Sequence, residues 1–399
     1  MSKKIVLAYS GGLDTSVVIH WLTHEHGYEV IALTVDVGME RDEDTLSKRA
    51  LAAGAAQFIW LDAKDEFIRE FVFPALMSGA IYEGYYPLAT ALSRPLIAQK
   101  MVSIAREHGA NEIGHGCTGK GNDQVRLDVA AHSLAPDLSI VAPVREWDMS
   151  REDEIEYANN NSIPVDVSSN NPYSIDENLW GRSIECGVLE DPWVEPPDDI
   201  YQLTHSIDDC PNEPLYIEVG FENGIPTSLD GKDIKPVDLV NSLNDIAGRY
   251  GIGRIDMVEN RVVGFKSREI YEAPAAMVLL EAHRSLEQIT LSKEQMKMKA
   301  NIALDYADLI YNGLWFTAHH KDLYAYVRST QKYVSGVVRL QLHKGRAVVV
   351  GKKSSGSLYD MSIATYDNDD QFDQSSSKGF IHIWGLPARI QAKMQEKKK

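Results

Sequence analysis

The chain has 399 residues, 44% of them hydrophobic, which is enough to build two globular domains with separate cores. A formal net charge of -18 at pH 7 opposes broad attraction to a nucleic-acid backbone, so the composition argues against a nucleic-acid partner. The three scattered cysteines form no C-x-x-C pair and no apolar run reaches membrane-spanning length, so we expect a cytoplasmic protein without a zinc site, a disulfide framework or a membrane partner.

Short apolar strands alternate with amphipathic helices over the first part of the chain. We predict strands near 4–9, 29–36, 57–62, 111–115 and 139–142, and helices near 14–25, 42–53, 93–108, 122–132 and 151–160. This rhythm predicts an α/β fold in which a doubly wound parallel sheet forms a nucleotide-binding domain over residues 1–165. Ligands of such sheets lie beyond the carboxyl ends of the strands, so we expect the loops at 10–16 and 114–124 to face one site.

The first of these loops follows the apolar run Ile5-Val6-Leu7 and contains two adjacent glycines, Gly11 and Gly12. The glycines let the backbone turn sharply and bring N–H groups close to an anion, and the start of the next helix adds unpaired donors. Hydroxyl groups of the same loop can complete a cradle for a pyrophosphate. The alternative is an ordinary N-capped helix after a glycine turn.

The ending of the loop decides which phosphate chemistry it suggests. Residues 8–16 read Ala-Tyr-Ser-Gly-Gly-Leu-Asp-Thr-Ser and lack the Gly-Lys-Ser/Thr ending of a Walker A loop, which argues against simple γ-phosphate hydrolysis. The loop resembles the PP-loop of the ATP pyrophosphatase superfamily, whose members cleave ATP between the α- and β-phosphates. The resemblance implies AMP and pyrophosphate as products.

The second loop, at residues 114–126, carries two deceptive spacings. Its glycines satisfy the G-x-G-x-x-G dinucleotide fingerprint, but a dinucleotide site normally follows the first strand of its unit, which here leads into a different loop. Gly114, Gly119 and Lys120 match Walker A spacing, but the next residue, Gly121, has no hydroxyl for a magnesium ion. We therefore rank a dehydrogenase and a Walker-type enzyme low.

The side chains of the second loop suit an anionic ligand that carries an amine. Thr118 and Asn122 can hold carboxylate oxygens, while Asp123 can accept a hydrogen bond from an ammonium group, so an amino acid would be matched at both ends. The alternative is that Asn122 or Asp123 only caps the helix that begins there. Both roles can coexist, because helix N-termini attract carboxylates.

Composition changes near residue 164. Residues 164–214 are rich in Pro, Asn, Asp and Ser, which predicts a domain boundary followed by an irregular segment. Beyond it, Asn223-Gly224 and Lys344-Gly345 predict hairpin turns. We therefore expect an α+β synthetase domain over residues 166–380.

Two helical segments follow. The longest stretch, about 275–311, has an apolar face that suits core packing or a subunit contact. That face comprises Met277, Leu280, His283, Leu286, Ile289, Leu304, Ala307 and Ile310. Residues 381–399 predict a C-terminal helix with a basic end, which docks either on a neighbouring subunit or on its own domain.

The two glycine-rich loops together resemble the argininosuccinate synthase family. The likeness is carried by residues 8–16 and by His115-Gly-Cys-Thr-Gly-Lys-Gly-Asn-Asp-Gln-Val-Arg126. Further matching stretches are Tyr86 with Thr90 and Arg94-Pro95, Asn171 to Leu179, Gly253 to Arg261, and Lys266 to Pro274. The matches stand in order over nearly the whole chain, which makes an accidental likeness improbable.

The resemblance implies an ATP-dependent carbon–nitrogen ligase that joins citrulline to aspartate through a citrullyl-adenylate in arginine biosynthesis. It also implies Mg2+ with unknown ligands and a homotetramer. ATP would be held by Ala8, Tyr9, Ser10, Gly11, Gly12, Leu13, Asp14, Thr15, Ser16, Val35 and Gly116. Aspartate would meet Thr118, Asn122 and Asp123. Citrulline would meet Tyr86, Thr90, Asn122, Arg126, Ser174, Ser183, Glu259 and Tyr271.

This reaction needs no enzyme nucleophile. We expect Ser10, Asp14 and Asp123 to contribute by positioning and electrostatics. The chain departs from the family twice: the family often has Thr-Ser where Thr90-Ala91 stands, and a small residue such as Ala where Cys117 stands. A hydroxyl contact at position 91 is therefore in doubt.

Structural alternatives exist for the second-domain residues. Glu259 could pair with Arg254 or Arg261, and Tyr271 could be a half-buried strand residue. Ser174 and Ser183 could only stabilise turns.

Two rival functions also fit the first loop. Another PP-loop adenylating synthetase would call for catalytic cysteines, a basic surface or a glutaminase nucleophile, and none is evident. A non-catalytic ATP-binding sensor would bind ATP without turnover.

Overall fold

The computed structural model describes residues 3–39, 41–147, 149–165, 172–367 and 370–396, which fall into two compact units at 1–356 and 357–399. The predicted boundary at 165/166, the polar run that precedes Pro172 and the last three lysines lie wholly or partly outside the described residues. The proposed division into domains stays a prediction. Within the described ranges, no helix combines the length and apolarity needed to cross a membrane.

The first unit opens with a parallel five-stranded sheet and its helices. The strands are β1 (Lys3–Ala8), β2 (Tyr28–Asp36), β3 (Gln57–Asp62), β4 (Glu112–Gly114) and β5 (Ser139–Val141). The helices are α1 (Leu13–His24), α2 (Glu43–Ala52), α3 (Lys64–Phe67), α4 (Phe73–Ser78), α5 (Ala89–His108), α6 (Asn122–Leu134), α7 (Pro143–Glu146) and α8 (Arg151–Asn160). Every strand and helix predicted before residue 165 is confirmed, whereas α3, α4 and α7 had not been predicted.

Successive residues of β1 face opposite sides of the sheet. Ile5 and Leu7 pack with Val17 of α1, while Val6 packs with Met101 of α5. Helices therefore cover both faces, and the doubly wound α/β prediction is confirmed.

The order of the sheet places the ligand crevice. The order is β3-β2-β1-β4-β5, so the chain reverses its direction of travel across the sheet between β1 and β4. The carboxyl ends of these two strands lead into the two glycine-rich loops. A crevice at such a reversal is where ligands bind in open parallel sheets.

The rest of the first unit contains two antiparallel sheets. The strands are β6 (Ser174–Asn178), β7 (Gly181–Glu185), β8 (Leu215–Glu222), β9 (Ile225–Leu229), β10 (Lys232–Asp233), β11 (Arg254–Asn260), β12 (Lys266–Glu272), β13 (Gly336–His343) and β14 (Arg346–Lys353). One sheet has the order β10-β9-β8-β13-β14 and the other β11-β12-β7-β6. The helices are α9 (Pro236–Arg249), α10 (Pro274–Thr290), α11 (Lys293–Tyr311) and α12 (Ala318–Thr330).

Turn residues in the sequence correctly predicted two hairpins, but a third hairpin was not predicted. Asn223-Gly224 and Lys344-Gly345 join adjacent strands with positive φ at both positions, as a two-residue hairpin requires. The prediction of irregular structure throughout 164–214 was wrong, because β6 and β7 form a hairpin there. Ser183 pairs with Tyr271 of β12, and this distant partner strand overrides the local turn-rich composition.

The long helical stretch was predicted as one element and is two. Leu291 is extended, and Ser292 begins α11 with a capping box in which Gln295 returns the hydrogen bond. Leu286 and Ile310 are buried as expected, whereas Leu304 is 63% exposed. The apolar face is therefore a core face for most of its length.

The second unit contains α13 (Met361–Ala364), α14 (Ser376–Trp384) and α15 (Leu386–Glu396). The predicted C-terminal helix is confirmed by α15. Large apolar side chains on this unit are solvent exposed, among them Phe380, Ile383, Trp384, Ile390 and Met394.

Candidate active site

The two glycine-rich loops line one cavity, which we call the loop cavity. It encloses about 200 Å³. The loop residues on its wall are Ala8, Tyr9, Ser10, Thr15, His115, Gly116 and Cys117, joined by Val35 at the end of β2. The prediction that both loops face one site is confirmed.

The first loop turns at Gly11, in a conformation that strongly favours glycine. Gly11 has φ of +80°, and a Cβ there would lie 2.1 Å from Leu46. The hydroxyl of Ser10 accepts a hydrogen bond from the Gly12 N–H at 3.3 Å and lies 3.1 Å from the Thr15 hydroxyl. The N-cap of α1 is Gly12, with no side-chain cap, and the phosphate-binding role of the loop stays a prediction beside the alternative of an ordinary N-capped helix.

Two further residues of the same loop, Asp14 and Ser16, do not line the cavity. Ser16 is fully buried, and its hydroxyl lies 3.3 Å from that of Tyr9, which the loop pattern did not indicate. The carboxyl of Asp14 is hydrogen-bonded to Glu154 of α8, and burial together with the Asp14 charge raises the pKa of Glu154 to about 8. The pair therefore holds a proton between two carboxyl groups near neutral pH. Gly11, Gly12 and Leu13 are likewise outside the described cavity wall.

A second cavity, which we call the carboxylate cavity, encloses about 110 Å³. Its lining residues come both from the part of the first unit that contains the parallel sheet and from the part that contains the antiparallel sheets. The wall includes every residue expected to meet citrulline. Those residues are Tyr86, Thr90, Asn122, Arg126, Ser174, Ser183, Glu259 and Tyr271. Residues up to 189 positions apart, as Asn122 and Tyr311 are, are brought into hydrogen-bonding contact around it.

The residues expected to meet aspartate are only partly assembled. Asn122 and Asp123 line the carboxylate cavity, but Thr118 is exposed and outside the lining of both cavities. The N-cap of helix α6 is Gly121, with no side-chain cap, so the capping alternative for Asn122 and Asp123 was wrong. The Asn122 amide instead donates to the Tyr311 hydroxyl at 2.9 Å and accepts from the Val262 N–H at 2.9 Å.

Asp123 lies between two arginines. It accepts hydrogen bonds from Arg94 at 2.6 Å and from Arg126 at 3.1 Å. Burial opposes its ionisation, but the two guanidinium groups outweigh that effect and hold the pKa of Asp123 below its ordinary value. Asp123 is therefore a carboxylate at neutral pH.

Glu259 is held by two tyrosines rather than by an arginine. Its carboxylate accepts from Tyr271 at 2.7 Å and from Tyr311 at 2.5 Å. Arg261 binds Glu185 and Glu269, and Arg254 donates to Thr204, so both predicted alternatives for Glu259 were wrong. Burial raises the pKa of Glu259, and the two hydroxyls oppose that rise.

The remaining alternatives for this cavity also fail. Tyr271 is 4% exposed and stacks on Tyr86 with ring centroids 4.0 Å apart, so it is not half-buried. Ser174 and Ser183 lie on strands β6 and β7 rather than in turns. The Ser183 hydroxyl is 3.4 Å from that of Thr90, which joins α5 to β7.

The two departures from the family have different surroundings. Ala91 is fully buried in the hydrophobic core and lines neither cavity among the described residues. Cys117 is on the wall of the loop cavity, and burial raises the pKa of its thiol to about 12. The thiol therefore stays protonated.

Sequence reasoning missed several charged residues of the site. Arg41 lines the loop cavity, and Glu185, Arg261 and Glu269 line the carboxylate cavity. Burial and the nearby carboxylates raise the pKa of Glu269 to about 9. Arg261 and Glu269 fell within matching stretches of sequence, but nothing in their spacing set them apart.

A pair of carboxylates on one arginine connects the two cavities. Arg94 lines the loop cavity and donates from one nitrogen to Asp123 at 2.6 Å and to Asp176 at 2.7 Å. Asp176 lines both cavities. Arg94 had been noted only as part of a matching stretch.

The described residues offer no resident metal centre. No three His, Cys, Asp or Glu side chains converge among them in a way that could hold an ion.

Comparison with known proteins covers almost the whole chain. Residues 4–164 match the profile of the arginosuccinate synthase N-terminal HUP domain, and residues 173–391 match that of the arginosuccinate synthase C-terminal domain. The chain is 55% identical over 395 residues to the argininosuccinate synthase of Dehalococcoides mccartyi, covering 99% of this chain and 97% of that protein. It is 53% identical to those of Listeria monocytogenes serotype 4a and Halalkalibacterium halodurans, covering 98% and 97% of those proteins.

Proposed function

The chain belongs to the argininosuccinate synthase family, and we propose that its two cavities divide the substrates of that family between them. As a member, it is an ATP-dependent ligase of arginine biosynthesis that joins citrulline to aspartate and forms AMP and diphosphate. In our assignment ATP occupies the loop cavity and citrulline the carboxylate cavity. Aspartate approaches beside Asn122 and Asp123.

The loop cavity suits ATP because it combines a phosphate cradle with apolar walls. Ser10 and Thr15 offer hydroxyls near the start of α1, whose N-terminus favours an anion. Trp60 and Ile97 supply apolar surface for the base. Arg41 adds a positive charge, and burial lowers the pKa of that guanidinium group.

One observation carries the citrulline assignment. The Arg126 guanidinium is 3% exposed, and its Nη2 atom has no hydrogen-bond partner among the described residues. A buried donor without a partner is costly, so a ligand carboxylate would satisfy it. Glu259 provides the opposite charge for an ammonium group, and Tyr86 and Tyr271 provide an apolar wall between the two ends.

The assignment places the reacting atoms at Arg94, on the wall between the cavities. The ureido oxygen of citrulline attacks the α-phosphorus in line, the bond to the β-phosphate oxygen breaks, and diphosphate leaves toward residues 10–16. The aspartate amine then attacks the ureido carbon, AMP departs with the oxygen, and the nitrogen loses its proton. The protein contributes positions and charge, since no covalent intermediate with the enzyme is needed.

Mg2+ enters this account only with the nucleotide. The described side chains do not fit a resident ion, so the ATP phosphates and water would supply its ligands. We also propose a cytoplasmic homotetramer in which the exposed apolar residues of α14 and α15 contribute to the subunit contacts.

Pyrophosphate release tests the function. We expect little pyrophosphate release from ATP alone or from ATP with aspartate. With ATP and citrulline, release should stop at about one pyrophosphate per active site. With all three substrates, pyrophosphate should be released continuously. Pyrophosphate release that does not depend on citrulline would contradict the assignment and favour another PP-loop synthetase. ATP binding without any release would favour a sensor.

A further inference from the structure

Tyr311, the last residue of α11, joins two residues of the carboxylate cavity through one hydroxyl. The hydroxyl donates to Glu259 at 2.5 Å and accepts from the Asn122 amide at 2.9 Å. Glu259 belongs to β11, whereas Asn122 lies in the second glycine-rich loop and is the first residue of α6. One hydroxyl group therefore positions both the carboxylate expected to bind citrulline and a side-chain amide of the second glycine-rich loop.

The rest of Tyr311 is fixed from both sides. Its ring stacks on Tyr82 with centroids 3.6 Å apart, and the Tyr82 hydroxyl donates to the Asn260 carbonyl at 2.8 Å. Its main-chain carbonyl accepts from Arg126 Nε at 2.8 Å. Gly313 then passes so close that a Cβ would lie 2.7 Å from the Arg126 Cα. The end of α11 thus buttresses both charged ends of the cavity.

We propose that Tyr311 is a positioning residue for citrulline that acts through Glu259 and Asn122. The inference rests on the proposed assignment of citrulline to the carboxylate cavity. Tyr311 is 1% exposed and is not among the residues that line this cavity in the described structure, so it does not touch the substrate. Its part is to hold Glu259 ionised and aimed at the ammonium group of citrulline.

The electrostatics around Glu259 give this role a specific signature. Besides burial, which raises the pKa of Glu259, several titratable or charged groups act on it or are acted on by it. They are Tyr311 of α11, Tyr271 and Glu269 of β12, Arg126 of α6, Arg261 after β11, and Tyr82 and Tyr86 before α5. Hydrogen bonds to the ionised form favour it, so loss of the Tyr311 hydroxyl raises the pKa of Glu259 further.

The test replaces Tyr311 by Phe. We expect the KM for citrulline to rise about 10- to 100-fold, the cost of removing one hydrogen bond to a buried charge, while the KM for ATP changes less than about twofold. The ratio of variant to wild-type KM for citrulline should be larger at pH 6 than at pH 8.5, because more Glu259 is protonated in the variant at low pH. KM does not depend on how much of the protein is folded, so partial unfolding does not obscure the result.

Tyr306→Phe is the matched control. Tyr306 lies on the same helix and is fully buried, but its hydroxyl has no hydrogen-bond partner among the described residues. We expect it to leave the KM for citrulline and its pH dependence unchanged. A Tyr311→Phe variant that behaves like Tyr306→Phe, or whose defect is the same at every pH, would overturn the inference.

Glu259→Gln separates this inference from the assignment beneath it. If Glu259→Gln leaves the KM for citrulline unchanged, the cavity assignment fails and the inference with it. If Glu259→Gln raises that KM, the assignment stands, and the double variant with Tyr311→Phe should be scarcely worse than Glu259→Gln alone. Additive effects would show that Tyr311 does not act through Glu259.

Discussion

The guanidinium of Arg94 lies 2.6 Å from the carboxylate of Asp123, so a side chain of the loop cavity is bonded to one of the carboxylate cavity. The same nitrogen of Arg94 reaches Asp176 at 2.7 Å. Nearby carboxylates outweigh burial and raise the pKa of Arg94, which is therefore a permanent cation between the cavities. A cation at this point suits the negative charge that builds up when an α-phosphate is attacked.

Asp123→Asn should destabilise the protein by about 2 kcal/mol at pH 7, because two arginines lose a shared anion. The cost is smaller than for a fully buried pair, since the Asp123 side chain is 28% exposed. Because the folded pKa is depressed, the stabilisation is complete above the unfolded pKa of about 3.9 and is lost as pH falls through the folded pKa. Urea unfolding at several pH values should therefore show that the difference in free energy of unfolding between wild type and variant becomes smaller below about pH 4. A gap that widens in acid would contradict the assigned charges.

Ser10→Ala should lower turnover by about 100- to 1000-fold, the usual effect of removing one donor to developing charge. The hydroxyl also accepts from the Gly12 N–H at 3.3 Å, so the loop loses a shaping contact as well. Steady-state pyrophosphate release measures the effect. Ser133→Ala is the control, because within the described part of the chain that exposed hydroxyl bonds only inside α6, to the Val129 carbonyl at 2.7 Å. Near-normal turnover of Ser10→Ala would reject the role of the loop.

The turn and the helix start of the first glycine-rich loop could be predicted because their determinants are local. Gly11 and Gly12 follow a strand and precede a helix, and both the turn and the donors arise within a few residues. The hairpin at β6-β7 was missed, because its pairing with β12 depends on a strand far along the chain. Tyr311 was missed for the same reason: its contact with Asn122 spans 189 positions and leaves no periodic signal.

The resemblance to a family, rather than local pattern, selected the residues that we assign to citrulline. Spacing alone gave no reason to choose Ser174 or Ser183, which only the strand pairing brings to the cavity. Thr118 was chosen because its hydroxyl lies in a glycine-rich loop, but in the described structure this residue is exposed and lines neither cavity.

Gly313→Ala should cost more stability than Gly109→Ala. Both glycines have positive φ, +75° and +64°, so both variants incur the left-handed backbone penalty of about 1 kcal/mol. Only at Gly313 does the new Cβ meet backbone, 2.7 Å from the Arg126 Cα, whereas nothing lies within 4 Å at Gly109. For Gly313→Ala, the midpoint temperature of thermal unfolding should fall and the KM for citrulline should rise. Equal behaviour of the two variants would show that α11 does not support Arg126.

Glu154→Gln should stabilise the protein at pH 8.5 relative to wild type. The folded pKa of Glu154 is raised to about 8, so the native state binds a proton that the unfolded state releases near pH 4.5. Native stability therefore falls between these pH values in wild type, while the neutral amide avoids the loss. After allowing for partial water access, we expect the free energy of unfolding of the variant to exceed that of wild type by about 1 kcal/mol at pH 8.5. This difference should disappear near pH 4.5. A pH-independent difference in urea unfolding would contradict the shared proton with Asp14.

The most direct test is a crystal structure with a non-cleavable ATP analogue and citrulline bound together. We predict the triphosphate against Ser10 to Ser16, the citrulline carboxylate on Arg126, and the ureido oxygen facing the α-phosphorus beside Arg94. A triphosphate bound away from Ser10 to Ser16, or citrulline outside the carboxylate cavity, would contradict the account.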